Sequence, residues 1–439
     1  MIRSLAMRKW RCRQSQIVVG TATALILVAG CSVEANDEST NPSTGTPAVA
    51  PAPDISPGVT ANTIKIGFVY PNLSAVKKFI NIDHGDYEAT FTALVDKVNS
   101  SGGINGRKLQ PVFGAVDVTS PAGAQETCLK LTQDEKVFAV LGSLSGDEPL
   151  CYIQTHRTAL VGGTLSPDRY AKAQAPWFSY QRGGDEAAEG IKLFAADGGL
   201  DGKVAIVSSL NEEGVMKTAI MPALKELGIT PVAAGVLDAP ATDPAAVAQQ
   251  LNVFVQKFQS AGADTVIVVG GVSSEFPKSL EKTDYRPKLL FSEINQAELY
   301  SNDPGEHDFS TLKDAAAVGL GVNWNDPANL ECVNTLVAAH PDLKETLIDP
   351  NDVESGEPQL GVSAGIACSS LALFTAIAEK AGGTLSYKTF QDAAFSLGSF
   401  HVPGFMDDAT YGPSTPDGRI PPRLFEYSAT EKNFKMSTG

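Results

Sequence analysis

Residues 136–142 read Lys136-Val137-Phe138-Ala139-Val140-Leu141-Gly142. Five successive apolar residues without polar alternation, stopped by a glycine, suit a parallel strand covered on both faces, because a strand with one wet face alternates. Working outward, residues 64–69 and 109–116 have the β-rich composition of two further strands. Between them Phe91, Leu94, Val95 and Val98 fall at i, i+3, i+4 and i+7, the apolar stripe of a helix. That helix is expected to end at Gly102-Gly103, where glycine can take the left-handed C-cap conformation. A second helix near 122–132 carries Cys128, and the order is already βαβαβ. The alternation returns downstream with strands at 204–208, 231–236, 265–269 and 289–291 and a helix over about 215–227. Another helix starts at Asp243-Pro244, where aspartate can cap free N–H groups and proline lacks the N–H that would go unpaired. Val247, Leu251, Phe254, Val255 and Phe258 give it a buried stripe. Two doubly wound α/β units follow from this pattern.

The N-terminal stretch is different in kind. Arg3, Arg8, Lys9, Arg11 and Arg13 precede the uncharged apolar residues 17–30, a signal-peptide layout with a core shorter than the roughly 20 residues of a membrane span. Val28-Ala29-Gly30-Cys31 resembles the bacterial lipobox, which implies cleavage before Cys31 and lipidation of its thiol; an uncleaved signal anchor is the alternative. Residues 31–57 hold Pro42, Pro47, Pro51, Pro53 and Pro57 among Ser, Thr, Asn and Ala, with almost nothing large and apolar to bury. Such a segment reads as a disordered tether with a reach of roughly 30 Å. The formal charge of −16 becomes −21 once the five positive residues of the leader are gone. With no Lys/Arg run in the remainder, nucleic acid is not an expected partner. Cys12 lies in the leader, which leaves Cys128, Cys151, Cys332 and Cys368 besides the lipid site. Four cysteines outside the cytoplasm permit three pairings. The two local ones, Cys128 with Cys151 and Cys332 with Cys368, are expected ahead of the others and of four buried free thiols. No C-x-x-C spacing occurs, so neither a metal nor a cofactor is expected.

Ligands of open α/β sheets gather outside the carboxyl ends of the strands. Four loops qualify. Gly142-Ser143-Leu144-Ser145-Gly146 leaves the strand at 137–141 and enters a helix, so its hydroxyls and backbone N–H groups could hold a carboxylate. Gly162-Gly163-Thr164 has the same donors. Asn211-Glu212-Glu213-Gly214 and the loop 270–275 are their counterparts in the second unit.

The order of elements and several phrases resemble the type I periplasmic solute-binding proteins of ABC transporters, in the leucine/isoleucine/valine-binding branch. The resemblance rests on residues 58–67, on Val98 to Arg107 with its Gly-Gly-Ile-Asn-Gly-Arg phrase, on residues 136–142, and on Ala261-Gly262-Ala263-Asp264 before a strand. It implies a Venus-flytrap fold of two α/β lobes joined by three crossings. The first lobe would be residues 58–182 plus 322–404 and the second 183–321 plus 405–439. It also implies a lipid-anchored monomer on the extracytoplasmic face of a bacterial cell membrane, binding a small solute such as an amino acid and passing it to permease and ATPase subunits. Carried across by position, Ser143 and Ser145 match the family's serine loop, Gly163 and Thr164 the loop that binds the solute carboxylate, and Asp185 and Glu293 the acidic partners of its amino group. Tyr70 and Ser74 could reach the cleft, as could Trp177, Phe178 and Tyr180. The aromatic residues of the leucine-type pattern are missing from the second-unit loops, so solute identity is left open between amino acids, amides and aromatic acids. A ligand sensor for a membrane receptor is an alternative use of the same clamp.

One enzyme reading competes. Gly361-Val362-Ser363-Ala364-Gly365 matches a G-x-S-x-G nucleophile elbow, with Asp392 and His401 following in hydrolase order. An elbow needs a buried strand before it, and residues 351–360 are acidic and contain Pro358, so Ser363 is expected early in a helix instead. No P-loop, dinucleotide fingerprint or second hydrophobic span is apparent, so nucleotide hydrolysis and transport would belong to partners.

Overall fold

The computed structural model describes residues 52–437 apart from 76, 78–82, 121, 183–184, 241–242, 304 and 354–356. The leader, Cys31 and nearly all of the tether therefore lie outside the described residues.

The first sheet is parallel, with strand order β2-β1-β3-β4-β5. Its members are β1 Thr63–Asn72, β2 Lys108–Asp117, β3 Ala139–Gly142, β4 Ala159–Gly162 and β5 Trp177–Phe178. The deciding run behaves as its composition requires. Ala139 and Leu141 pack into one core and Val140 into another on the opposite face. Val137 and Phe138 are buried but precede the strand pairing, and the Phe138 N–H donates to Lys65 O at 2.8 Å. One face is covered by helices Tyr87–Ser100, Pro327–Ala339, Gly361–Ala381 and Tyr387–Phe395, where Phe138, Phe374, Tyr387 and Phe390 form a contiguous aromatic cluster. Helix Tyr87–Ser100 is capped by the Asp86 carboxylate, and after its C-cap at Ser101 Gly102 and Gly103 follow with φ of 113° and 72°, the left-handed turn expected there.

Helix Gly361–Ala381 corrects one expectation, that no second hydrophobic span occurs. It is long and apolar enough to cross a membrane by length and composition, yet about two thirds of it is buried inside the first lobe. A helix packed between a sheet and other helices needs apolar residues nearly all round.

The second sheet has order β14-β13-β10-β9-β8-β6-β7. The strands are β6 Val204–Ser209, β7 Ala233–Leu237, β8 Thr265–Val269, β9 Lys288–Phe291, β10 Ala316–Leu320, β13 Pro422–Ser428 and β14 Asn433–Met436. Strands β6 to β10 run parallel, while β13 and β14 close one edge antiparallel. Helix Pro244–Ala261 starts as read, with Asp243 accepting from Ala246 N and the cap ending on left-handed Gly262. Val247, Leu251, Val255 and Phe258 are buried along it, with Phe254 at the margin.

The chain passes between the sheets three times, and these passages are tied together. Arg182, 5 % exposed, donates both terminal nitrogens to Glu189 at 2.9 and 2.8 Å and one of them to Ile420 O at 3.1 Å, with Asp417 Oδ2 3.4 Å from Nε. Asn323 N donates to Gly404 O and Met406 N to Gly321 O, joining the second passage to the third. A small sheet of β11 Gly398–Phe400 and β12 Ala409–Tyr411 lies on the third. The segment from 405 onward, read as wholly second-lobe, is shared. Ala409, Tyr411 and Ile420 pack into the first lobe's core, and only from Pro422 does the chain join the second sheet. Disulfides Cys128–Cys151 and Cys332–Cys368 are both formed, and both sit in the first lobe.

Candidate functional site

In a doubly wound sheet the crevice for a ligand opens where the strand order reverses, because the loops leaving two neighbouring strands run to opposite faces. In the first sheet that point lies between β1 and β3; in the second it lies between β6 and β8.

At the first switch point, Gly142 has φ of 120°, and a Cβ there would strike Val69 O, so only glycine lets β3 turn so closely beside β1. Ser143 follows half-buried, its N–H donating to Val69 O at 3.1 Å. Ser145 is exposed, and its N–H is taken by the Glu148 carboxylate at 2.9 Å. The expected helix starts at Glu148–Leu150 and continues as the π-helical stretch Cys151–Thr155, and the Glu148 carboxylate satisfies one of the loop's N–H donors from within the chain. Gly163 is buried, with its carbonyl accepting from Ser179 Oγ at 2.6 Å, while half-buried Thr164 donates its N–H to Leu144 O at 3.3 Å. Tyr70 stacks on Tyr87 with centroids 5.1 Å apart and donates its hydroxyl to Glu88. Burial first, and the Glu88 bond second, push the Tyr70 phenol well up. Ser74 turns back on Asn72, its Oγ donating at 2.6 Å. Tyr70, Asn72, Ser74, His84, Tyr87 and Glu88 border a recess of about 560 Å³. Tyr70 near the end of β1, and Ser143, Ser145, Thr164 and Ser74 in the segments after strands, therefore stand at one end of one sheet.

Trp177, Phe178 and Tyr180 are not. All three are buried core residues, with Trp177 Nε1 donating to Gly162 O at 2.9 Å and Tyr180 packed on Phe405.

The second switch point is acidic. Gly270, at φ 71°, abuts the Glu212 side chain so closely that a Cβ would collide with it, which joins the loops after β6 and β8. Glu293 follows β9 and is reachable by solvent, yet dense surroundings raise its carboxyl to about 7, with the charge of Glu212 adding to the effect. That combination of access and desolvation belongs to the wall of a cleft. Glu186, in the first turn of helix Asp185–Ala196, is likewise pushed up to about 7 by burial, against the pull of Arg182 and with the help of Glu293. Burial also raises Glu212, which feels Arg169 and Asp168 of the first lobe across the gap. Arg169 is itself held by Asp147 at 3.0 Å. Asp185 opens the same helix as Glu186, and its side chain lies outside the described residues.

The residues that sequence reasoning missed here are Glu186, Arg182, Ser208 and Ser292. Ser208 and Ser292 had a legible signal, since each is a polar residue at the carboxyl end of an otherwise apolar strand. Glu212 stood in a loop already singled out.

Ser363 lies inside helix Gly361–Ala381 and donates to Leu360 O at 3.1 Å. His401 is bonded by Asp326 and Asp408, each at 2.9 Å, and Asp392 pairs with Lys388. These three residues do not form the relay that a hydrolase elbow requires.

A model of the periplasmic binding protein family matches residues 63–420. No curated protein sequence matches the chain. Among solved structures, a type 1 periplasmic binding protein from Bordetella pertussis Tohama I aligns with a TM-score of 0.61 at 17% identity, covering 86% of this chain and 100% of the other. An ABC transporter substrate-binding protein from Desulfitobacterium hafniense, in complex with Leu, aligns at 0.59 and 15% identity over 86% and 100%. A solute-binding protein of R. palustris in complex with 4-hydroxybenzoate gives 0.59 and 15% over 86% and 96%.

Proposed function

This chain belongs to the periplasmic binding protein family, and on that premise we propose that it is the extracytoplasmic solute receptor of an ABC importer. The observation that carries this reading is the presence of two switch points, one per sheet, with charged residues of one sensed by the other. The solute enters between them, the lobes close over it about the three passages, and the closed form docks on permease subunits whose ATPase partner drives transport. No bond is made or broken by the receptor. The lobes divide near 182, 322 and 421. Lipidation at Cys31, with the tether that follows, holds the receptor at the outer face of the membrane as a monomer.

The first-lobe loops supply hydroxyls and amides from Ser143, Ser145, Gly163 and Thr164, with Tyr70 and Ser74 bordering the entrance. These suit a polar or carboxylate group, while Glu293, with Asp185 nearby in sequence to Glu186, suits an amino group. Relatives of the fold solved with Leu and with 4-hydroxybenzoate support a small organic solute of this kind.

A thermal-shift screen against amino acids, amides, aromatic acids, diamines and sugars tests the reading. A solute at about 100 times its dissociation constant adds roughly 2.7 kcal/mol. No shift across the panel, together with no compaction in solution scattering, would remove the receptor function.

A further inference from the structure

We propose that the second lobe's switch point is a half-site for a small solute carrying two cationic nitrogen groups, held by Glu186, Glu212 and Glu293 with the hydroxyls of Ser208, Ser273 and Ser292. The proposal rests on the solute-receptor reading and names the solute class. Acidic side chains alone would not carry it; the serines do. Ser208 and Ser273 are 0 % exposed and Ser292 is 5 % exposed, and the hydroxyl oxygens of all three have no hydrogen-bond partner among the described residues. Buried polar atoms are almost always paired, and leaving one unpaired costs about 1–3 kcal/mol. Three at one edge of one sheet is a concentration of cost that folding does not explain.

Register shows where two of them point. Ser208 is level with Val269 of β8, and Ser292 directly follows Phe291, which is level with Val268, while its N–H donates to Val268 O. Ser208, Val269 and Ser292 thus share a row and a face. Val269 packs in the core formed with Ile191 and Phe194 of helix Asp185–Ala196, so this is the face the helix covers, and Glu186 stands in the helix's first turn. Ser273 comes from the loop after β8, whose Gly270 presses on Glu212.

The charge balance chooses the solute. The groups around the half-site are Glu186, Glu189, Glu212, Glu293, Asp168 and Asp417 against Arg182 and Arg169, with Arg419 and Lys192 acting on Glu189. Arg182 is matched by Glu189 and Asp417, and Arg169 by Asp147. Glu186, Glu212 and Glu293 are left with no cation paired to them among the described residues, and where they ionise the charge of Glu212 acts on Glu293 and that of Glu293 on Glu186. A carboxylate would worsen this, a single ammonium answers one carboxylate, and a solute with two positive centres answers two. Because two of these carboxyls hold protons up to about 7, such a solute must displace protons, and its affinity rises with pH.

Calorimetric titration of the full-length protein in detergent with 1,5-diaminopentane, lysine, leucine and 4-hydroxybenzoate tests this. Diaminopentane or lysine is expected to bind at least about tenfold more tightly than leucine or 4-hydroxybenzoate. That affinity should fall at least about tenfold between pH 7.5 and 5.5, with proton release on binding, as linkage to raised carboxyls requires. E212Q and E293Q should each weaken the dication about tenfold while the unliganded variants melt no lower than wild type, which separates loss of the site from loss of the fold. Binding of leucine or 4-hydroxybenzoate with diaminopentane and lysine both silent overturns this inference and leaves the receptor reading standing. Silence of every probe here and in the wider screen overturns both.

Discussion

The two switch points share one topology and differ in what they leave unfinished. At the first, backbone groups of the loops find partners within the chain, Ser143 N with Val69 O, Ser145 N with Glu148 and Gly163 O with Ser179, while the hydroxyls of Ser143, Ser145 and Thr164 sit at half-buried or exposed positions. The lobe behind it is stapled by both disulfides. At the second, three buried hydroxyls have no partner among the described residues, three carboxyl groups are held above their ordinary range by burial, and no disulfide supports the sheet. Folding accounts for the backbone of the first edge. The second is costly in isolation and becomes favourable only when something complementary meets it, which is how a receptor can keep affinity for the closed, liganded state above that for the open one.

The largest expected effect contrasts matched with unmatched charge. R182A strips Glu189 and Asp417 of a buried partner at the hinge, and should cost about 3–5 kcal/mol in denaturant unfolding. A loss below about 1 kcal/mol would mean the passages are not held by this residue. Next, replacing Cys128 and Cys151 together by serine should destabilise by about 2–4 kcal/mol. Hydrogen exchange should place the loosening in the first sheet and leave β6 to β10 protected; equal loosening of both would deny the two lobes their independence.

The hydroxyls give a finer contrast. S179A abandons the bond to Gly163 O and the Gln181 N–H it accepts, and should cost about 1–3 kcal/mol. S208A removes a buried hydroxyl that has no partner, and should be neutral or slightly stabilising without solute. If the two variants melt alike, the asymmetry between the switch points is lost.

The smallest effect is in pH. Glu186 and Glu293 keep their protons up to about 7 when folded, against 4.5 ordinarily. The folded chain then binds more protons than the unfolded one between those values, so this contribution to stability is complete below about 4.5 and is lost as pH rises through 7. E293Q should flatten that decline and be the more stable protein at pH 7.5, by under about 1 kcal/mol since Glu293 is open to water. A steeper decline in the variant would contradict the sign.

Much of the fold was legible because period and composition act locally. The apolar run at 137–141 had to be buried on both faces, and its last three residues enter the strand, while Asp243-Pro244 starts a helix as its capping chemistry requires. Helix Gly361–Ala381 was less plain, since a helix buried all round has no wet face to give it periodicity. The first-lobe loops were legible as glycine-hydroxyl turns after strands, but the occupation of Ser145 N by Glu148 was not, because it depends on where a side chain three residues on is folded. At the second switch point the acidic loop at 211–214 was visible, while Glu186 was hidden. It stands one position from the acid that was named, and a helix turns each residue by about 100°, so which one faces the cleft depends on how the helix lies on the sheet.

By itself, then, the sequence determined the alternation of strands and helices, the two-lobed class and the loops eligible to hold a ligand. Those depend on neighbours in the chain. Which loops meet at a reversal of strand order, that Arg182 ties passages more than 200 residues apart, and that Glu186, Glu212 and Glu293 share a site with Ser208 and Ser292 were decided only by tertiary structure. Electrostatic repulsion and unpaired hydrogen bonds act through space over a few ångströms, and residues far apart in the chain are brought within that range only when the sheets have formed.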